Sequence, residues 1–193
     1  MMAAYRLPHD GTRECDAADV ALTILGGGES SLLHNRLVRR DQTAVAAGFG
    51  MLRLAGAPSL GWLDVKTSSG VEIPAIEAAV DEVLARFAAE GPTAEEMERA
   101  QAQLEREWLD RLSTVAGRAD ELCRYAVLFG DPQLALTAVR RVLDITAEEV
   151  QAVAAARLRP DNRAVLVYEP LAAEDADASD LHDESDENEG AEQ

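Results

Sequence analysis

The order in which strand-like and helix-like patterns follow one another is the feature that most constrains the fold of this chain. Residues 3–8, 43–54 and 60–67 favour extended structure, whereas the apolar residues after Gly70 recur at helical spacing. The helical patterns are grouped and do not alternate with strands, which is typical of α+β proteins and not of parallel βαβ folds. We therefore predict a single α+β domain whose helices pack on one face of a mainly antiparallel sheet.

The helical half of the chain carries clear start signals. Apolar residues at spacings of 4, 3 and 4 over residues 76–87 lie on one face of a predicted helix. Two capping boxes follow, at residues 93–96 and 146–149, where a threonine and a glutamate can each satisfy an amide at the helix start. The first box predicts a long helix that extends to about Leu112. The second predicts a helix that ends near Leu158.

The N-terminal half predicts a strand, two helices and a hairpin. A helix over residues 16–25 is closed by three consecutive glycines, and Ser30 or Ser31 can cap a second helix that runs to about Asp41. The break at residues 56–59 separates two extended stretches, which indicates an antiparallel hairpin. A continuous apolar run at residues 164–168 is typical of a central strand.

Charge divides the chain into a body and a tail. The net charge is −18, and residues 172–193 contain ten acids and no base, so the rest of the chain carries −8. We predict a folded domain over residues 1–170 and a disordered acidic tail over residues 171–193, because the tail has too few apolar residues to fold. The negative charge also argues against nucleic acid and anionic membranes as partners, since phosphate binding needs clustered Lys and Arg.

Residues suited to catalysis or metal binding are sparse. The histidines are His9, His34 and His182, and none is within one helical turn of another, so the sequence lacks the H-x-x-E-H pattern of zinc peptidases. The glycines at residues 26–28 lack the lysine of a phosphate loop, and the neighbouring serines lack an oriented base. We predict no catalytic residue, no metal ligand and no cofactor bound by this chain.

Cysteine usage and composition indicate the cellular setting. Cys15 and Cys123 are far apart in sequence, which favours free thiols in a reducing cytoplasm over a disulfide. No apolar run is long enough for a membrane span, and no signal-peptide pattern is present. Lys66 is the single lysine among 18 basic residues, an arginine bias that we interpret as the codon habit of a GC-rich bacterial genome.

Several short stretches, in this order and spacing, resemble the insulinase/pitrilysin family of zinc peptidases, the inverzincins. The resemblance is to the second, C-terminal domain, which does not bind zinc, and especially to the bacterial branch that is similar to the mitochondrial processing peptidase. It covers about residues 3–169. The stretches are residues 5–8, 25–28, 30–32, 36–39, 91–96, 117–119, 129–132, 145–150 and 159–162.

The resemblance implies a fold and a division of labour. Family members are built from paired α+β domains that close like a clamshell on a peptide. One domain carries zinc, and the other contributes an arginine and a tyrosine that contact substrate. This chain resembles the second kind of domain, and the resemblance suggests that its first strand is missing. Zinc is therefore expected only in a partner domain or subunit.

Carried over by position, the substrate-contacting arginine is best matched by Arg39, with Arg36 and Arg40 as neighbours that could replace it. The glycine joint formed by Gly26, Gly27 and Gly28 could present backbone amides to an extended peptide. The family tyrosine should follow residues 43–44, where Val45 stands instead. Valine cannot donate a hydrogen bond to a carbonyl oxygen or a developing oxyanion.

Three functions remain open on this basis. The first is a substrate-side lobe that assists peptide binding and proteolysis only with a zinc-bearing partner. The second is a catalytically inactive interaction module or scaffold of the same fold, which the loss of the tyrosine and of the zinc pattern favours. The third is a truncated gene product, which would leave a sheet edge and an apolar face exposed.

Overall fold

A computed structural model describes residues 1–168 of the chain. Its four strands form one antiparallel sheet in the order β2-β3-β1-β4. The strands are β1 (Met2–His9), β2 (Ala44–Leu52), β3 (Pro58–Thr67) and β4 (Arg163–Leu166). The predicted hairpin is confirmed as β2 and β3, which pair directly with each other.

The helices form a layer on one face of this sheet, which confirms the predicted α+β class. They are α1 (Arg13–Gly26), a π-helix (His34–Arg40), α2 (Ile73–Glu90), α3 (Ala94–Ser113), α4 (Val115–Phe129), α5 (Leu134–Leu143) and α6 (Ala147–Arg157). A short 3₁₀ turn, Pro160–Asn162, leads into β4. The long helix predicted after the first capping box is α3.

Helix α1 lies at the centre of the molecule, between the sheet and the other helices. It contacts β2 on one side and α3, α5 and α6 on the other. Val20, Ile24 and Leu25 are almost fully buried there, together with Leu22 on the side of the sheet. Such burial on most sides explains why this helix is apolar around much of its circumference.

Two hydrophobic cores are present in the described chain. The main core fills the space between the sheet and helices α1, α2, α3 and α6. A second, smaller core gathers Trp108, Tyr125, Ala135 and Ala138, from the end of α3 and from α4 and α5. Helix α3 belongs to both, since Met97 and Ala100 lie in the main core and Trp108 lies in the small one.

The capping boxes predicted from sequence are present. Thr93 accepts a hydrogen bond from the amide of Glu96 at the start of α3, and the Glu96 carboxylate accepts one from the Thr93 amide. Thr146 and Glu149 repeat the arrangement at the start of α6. Each box satisfies amides that the first helical turn leaves without a partner.

The prediction of a central strand at residues 164–168 is wrong. Strand β4 lies at the edge of the sheet, pairs only with β1 among the described strands, and ends at Leu166. Leu166 is exposed, and Ala164 and Val165 are exposed as well. A short apolar run by itself does not distinguish a central strand from an edge strand, because only the pairing of the neighbours decides between them.

Two helix boundaries also differ from the prediction. Helix α1 begins at Arg13, earlier than predicted, because the Thr12 hydroxyl accepts a hydrogen bond from the Cys15 amide and caps it. The second helix runs over His34–Arg40 with π-type bonding, and the Ser31 hydroxyl accepts a bond from the His34 amide near its start. Its Leu37 is fully buried, so the apolar face is as expected.

The predicted boundary at residue 170 and the acidic tail at residues 171–193 lie outside the described residues. Over residues 1–168, no helix is both long enough and apolar enough to cross a membrane.

Gly26 provides a direct test of the packing of α1 on the sheet. A Cβ atom at this position would lie 2.2 Å from the backbone nitrogen of Phe49, so the backbones of α1 and β2 would have to separate. We expect Gly26→Ala to lower the free energy of unfolding by about 1–3 kcal/mol, measured by urea unfolding.

The matched control is Gly50→Ala in β2, the strand that Gly26 approaches, because an added Cβ at Gly50 meets no atom within 4 Å. This variant should change the free energy of unfolding by less than about 0.5 kcal/mol. Equal effects of the two substitutions would contradict the close approach at Gly26.

Candidate functional site

The glycine joint ends α1 and is shaped by its own hydrogen bonds. The Gly27 amide donates to the Thr23 carbonyl at 2.8 Å, and the Gly28 amide donates to the Gly26 carbonyl at 3.0 Å. Gly28 has a φ of 90°, which favours glycine, whereas Gly26 is buried against Phe49. A peptide at this joint would have to displace two internal bonds to reach these amides, so peptide contact by Gly26, Gly27 and Gly28 stays a prediction.

The π-helix positions the three predicted arginines differently. Arg36 is largely buried, with a side chain 22% exposed, and donates to Asp41 at 3.0 Å and to Glu82 on α2 at 2.7 Å. The Arg39 side chain is 58% exposed, and its Nη2 lies 3.6 Å from an oxygen of the exposed Glu29. Arg36 therefore ties the π-helix to α2, whereas Arg39 is accessible to a ligand.

Arg40 is the most exposed of the three, and its Nε lies 3.9 Å from the Asp41 carboxylate. That distance permits a weak ion pair but no hydrogen bond. The substrate-binding role predicted for Arg39, Arg36 and Arg40 stays a prediction.

Val45 lies at a β-bulge in β2. The pairing with β3 shifts between Ala44 and Ala46, so Val45 is an extra residue and both Val45 and Ala46 are exposed. The Val45 side chain is 59% exposed on the sheet face opposite the helices. A residue at this position is therefore presented to solvent, as a substrate-contacting side chain would have to be.

A charged cavity of about 220 Å³ lies between the two hydrophobic cores, and the sequence did not reveal it. It is bounded by α1, α3, α4 and α5 and by Arg53, which follows β2. Its charged lining consists of Asp16, Asp19, Arg53, Arg111, Glu121, Arg124 and Arg141, and its apolar lining of Leu104, Trp108, Tyr125, Ala138, Val139 and Val142.

Arg53 is the centre of the ion pairs around this cavity. Its Nη1 donates to Asp10 at 2.8 Å, and its Nη2 donates to Asp19 on α1 at 2.7 Å. Arg124 on α4 also donates to the Asp10 carboxylate. The Asp16 carboxylate lies 3.4 Å from Arg141 Nε and 4.0 Å from Arg53. These pairs connect the sheet, α1, α4 and α5.

The two aspartates near Arg53 respond differently to burial. Burial alone would raise the pKa of the Asp10 carboxyl, but the charge and hydrogen bond of Arg53, together with Arg124, hold it below its usual value. Burial raises the pKa of Asp16 above its usual value, and the more distant Arg141 and Arg53 offset this only in part. The two pKa shifts have opposite signs because Asp10 accepts hydrogen bonds from two arginines, which stabilise its ionised form.

This cavity does not fit a zinc ion. The carboxylates that line it on α1 are Asp16 and Asp19. Both carboxylates face arginines, and the side chains of Arg53 and Arg141 would repel a cation. Over residues 1–168, no group of three or more His, Cys, Asp and Glu residues is arranged to hold a metal ion.

These features define a class: an α+β domain in which arginine–carboxylate pairs surround a central helix and no metal ligand set is formed by residues 1–168. A family model described as the peptidase M16 inactive domain matches residues 1–104, more than half of the 193-residue chain, and the chain belongs to this family. The match confirms the resemblance to the non-zinc domain of the insulinase family. No curated protein matches the chain.

Solved structures agree with this assignment. The inactive peptidase domain of a protein assigned as a zinc protease from Bordetella parapertussis is 25% identical, with a TM-score of 0.80, and the alignment covers 89% of this chain and 92% of that one. A protein assigned as a zinc protease from Bordetella pertussis is also 25% identical, with a TM-score of 0.78 and coverage of 88% and 93%.

A longer relative shares the fold. The peptidase M16 inactive domain structure from Pseudomonas fluorescens is 18% identical, with a TM-score of 0.73, and the alignment covers 88% of this chain but 42% of that one. Domains of this type therefore also occur within longer chains.

The contrast between Arg36 and Arg39 leads to a stability prediction. Arg36→Ala removes two charged hydrogen bonds at a largely buried position and should lower the free energy of unfolding by about 1 kcal/mol or more. Arg39→Ala removes one exposed ion pair and should change it by less than about 0.5 kcal/mol. Urea unfolding of both variants measures the two free energies. A larger loss of stability for Arg39→Ala than for Arg36→Ala would contradict the structural role of Arg36.

Asp16 leads to a prediction on pH. Its pKa is raised in the folded state, so the folded protein holds this proton more tightly than the unfolded chain. Ionisation of Asp16 therefore lowers stability as the pH rises above about 4, the usual pKa of an aspartate. The stability of Asp16→Asn relative to the parent protein should increase from pH 4 to pH 7, measured by urea unfolding at both values.

The control for loss of one carboxylate is Asp120→Asn on α4, where the side chain is exposed. This variant should not reproduce the increase. A relative stability of Asp16→Asn that falls between pH 4 and pH 7 would contradict the burial of a poorly compensated charge.

Proposed function

We propose that this protein is the substrate-side lobe of an insulinase-family metallopeptidase. It assists peptide binding and proteolysis together with a zinc-bearing partner domain or subunit and binds no zinc itself. The observation that carries the proposal is the match to the peptidase M16 inactive domain over residues 1–104, a range that contains Arg39. The poor fit of the charged cavity to zinc supports the same division of labour.

The relatives support the need for a partner. The alignment covers 38% of a protease from Helicobacter pylori and 42% of the longer Pseudomonas fluorescens chain, so related domains occur beside other domains. In this chain, a separate polypeptide or a further domain would supply the metal and the water-activating group. The lobe described here would then hold the peptide against that centre.

Arg39 is the residue best placed to contact a peptide. Its guanidinium is accessible. An oxygen of the exposed Glu29 lies 3.6 Å from it, and a peptide carbonyl or carboxylate can displace Glu29 at low cost. A guanidinium can offer two parallel donors to a carboxylate or a peptide carbonyl. Arg36 would hold the π-helix in position, because its donors are directed to Asp41 and Glu82.

A second candidate function is a catalytically inactive interaction module. Val45 supports it, because the bulge presents this residue to solvent where the family carries a tyrosine, and valine offers no donor. Leu52 and Trp62 are also exposed by more than 40%, and Lys66 pairs with Ala46 beside the bulge. A partner could cover this face of the sheet without any peptide cleavage.

The two free cysteines give information on the cellular compartment of the protein. Cys15 and Cys123 form no disulfide, and Cys15 is buried while Cys123 is exposed. We propose on this basis that the protein works in the reducing cytoplasm of a bacterium.

The test of the proposed function uses the full chain and a zinc-domain partner identified from the adjacent coding sequence. Adding this protein should increase cleavage of a fluorogenic peptide by the partner. Arg39→Ala should raise KM by about tenfold with little change in kcat, because a binding contact present throughout the reaction is lost.

The matched control is Arg106→Ala, which removes an exposed arginine from α3. It should leave KM unchanged. Val45→Tyr restores a donor and should increase kcat. The interaction module would be favoured if adding the chain gives no gain in cleavage. It would also be favoured if Arg39→Ala and Val45→Tyr have the same activity as the parent protein.

A further inference from the structure

Two buried polar atoms in the residues that line the charged cavity have no hydrogen-bond partner within residues 1–168. We infer that this cavity, lined by Glu121, Arg141 and an apolar wall, is a binding site for a small zwitterion of the α-amino acid class with an apolar side chain. The inference rests on the geometry of the cavity and not on the proposed function.

Glu121 supplies the first observation. It is 8% exposed, and its Oε2 atom has no hydrogen-bond partner among residues 1–168. Two guanidiniums lie near this carboxylate without donating a hydrogen bond to it: Arg111 Nε is 3.5 Å from Oε1, and Arg124 Nη1 is 3.8 Å from Oε2. Buried carboxylate oxygens are nearly always hydrogen-bonded, so this atom is available to a donor from a water or a bound ligand.

Arg141 supplies the complementary observation. Its Nε is buried and, within the part of the chain that the structure describes, donates no hydrogen bond. The Asp16 carboxylate lies 3.4 Å from this atom, close enough for an ion pair but without hydrogen-bond geometry. The cavity thus holds one unsatisfied acceptor, on α4, and one unsatisfied donor, on α5.

The other charged groups of the cavity are already paired. Arg53 is bound to Asp10 and Asp19, and Arg124 is bound to Asp10. With Asp10 included, the cluster has four carboxylates (Asp10, Asp16, Asp19 and Glu121) and four guanidiniums (Arg53, Arg111, Arg124 and Arg141). A simple anion or cation would unbalance this charge, whereas a molecule with one ammonium and one carboxylate would not.

The volume of the cavity and its apolar lining further restrict the range of possible ligands. A volume of about 220 Å³ is smaller than the usual pockets for drug-sized ligands, of about 300–1,000 Å³. Leu104, Trp108, Val139 and Val142 supply an apolar wall for an uncharged side chain. We assign the ligand ammonium to Glu121 and the ligand carboxylate to Arg141. A free amino acid and a dipeptide share this chemistry.

The experiment follows the two tryptophan indole N–H resonances by NMR, using the full chain and titrating L-leucine, L-phenylalanine and Leu-Leu. Trp108 lines the cavity, whereas Trp62 lies on the opposite face of the sheet and acts as an internal control. We expect saturable shifts of the Trp108 resonance and none of the Trp62 resonance. Leucinamide, which lacks the carboxylate, and N-acetyl-leucine, which lacks the ammonium, should each bind at least about tenfold more weakly.

Variants identify the contacting groups. Glu121→Gln and Arg141→Met should each weaken binding at least about tenfold, whereas the exposed neighbours Asp120→Asn and Arg140→Met should bind as the parent does. If Arg141→Met fails to fold, the leucinamide comparison on the parent protein tests the same contact.

The titrations distinguish a peptide ligand, a free amino acid and an empty, water-filled cavity. Tighter binding of Leu-Leu than of L-leucine assigns the cavity to peptide products, and the reverse assigns it to a free amino acid. The absence of any Trp108 shift up to millimolar ligand would mean that the cavity holds only water, which overturns the inference. Equal binding by Glu121→Gln and the parent would overturn it as well.

Discussion

The burial of α1 is the constraint on which the rest of the structure depends. This helix lies between the sheet and three other helices, so every layer of the protein packs against it. Close approach to β2 is possible because residue 26 has no side chain, and Phe49 occupies the space that a Cβ would need. The same burial draws Asp16 and Asp19 away from water, and charge so placed must be paired. The arginines that converge on α1 from the β2–β3 turn and from α5 meet that requirement.

This pairing also makes the acids of α1 poor ligands for a metal ion. A zinc site needs ligands with free lone pairs, and here the acids of α1 face guanidinium groups that carry fixed positive charge. The arrangement joins the main core to the smaller core around Trp108, since the ion pairs run from the sheet through α1 to α4 and α5. Helix α1 is thus a structural junction with a charged cavity beside it.

The sequence predicted the architecture well because its signals were local. Capping boxes, helical spacing and the hairpin break each depend on neighbouring residues, and α3, α6 and the β2–β3 hairpin follow from them. The edge position of β4 depends on which strands lie beside it. The sequence of a four-residue segment does not indicate its neighbours in the sheet. The charged cavity was missed for a similar reason, because Arg53, Glu121 and Arg141 come from distant segments. An acid at position 16, beside apolar residues on a predicted buried helix, was the one available signal.

The edge position of β4 has a consequence for the dynamics of the sheet. Arg163 anchors the start of this strand through hydrogen bonds to Asp81 and Tyr5, but its other three residues are exposed and only four residue pairs join it to β1. Little free energy therefore opposes detachment of the strand beyond Arg163. Strand β3 lies between two partners, and its amides can exchange with solvent only when a larger part of the sheet opens. Protection against hydrogen exchange should therefore decrease across the sheet from β3 to the exposed end of β4.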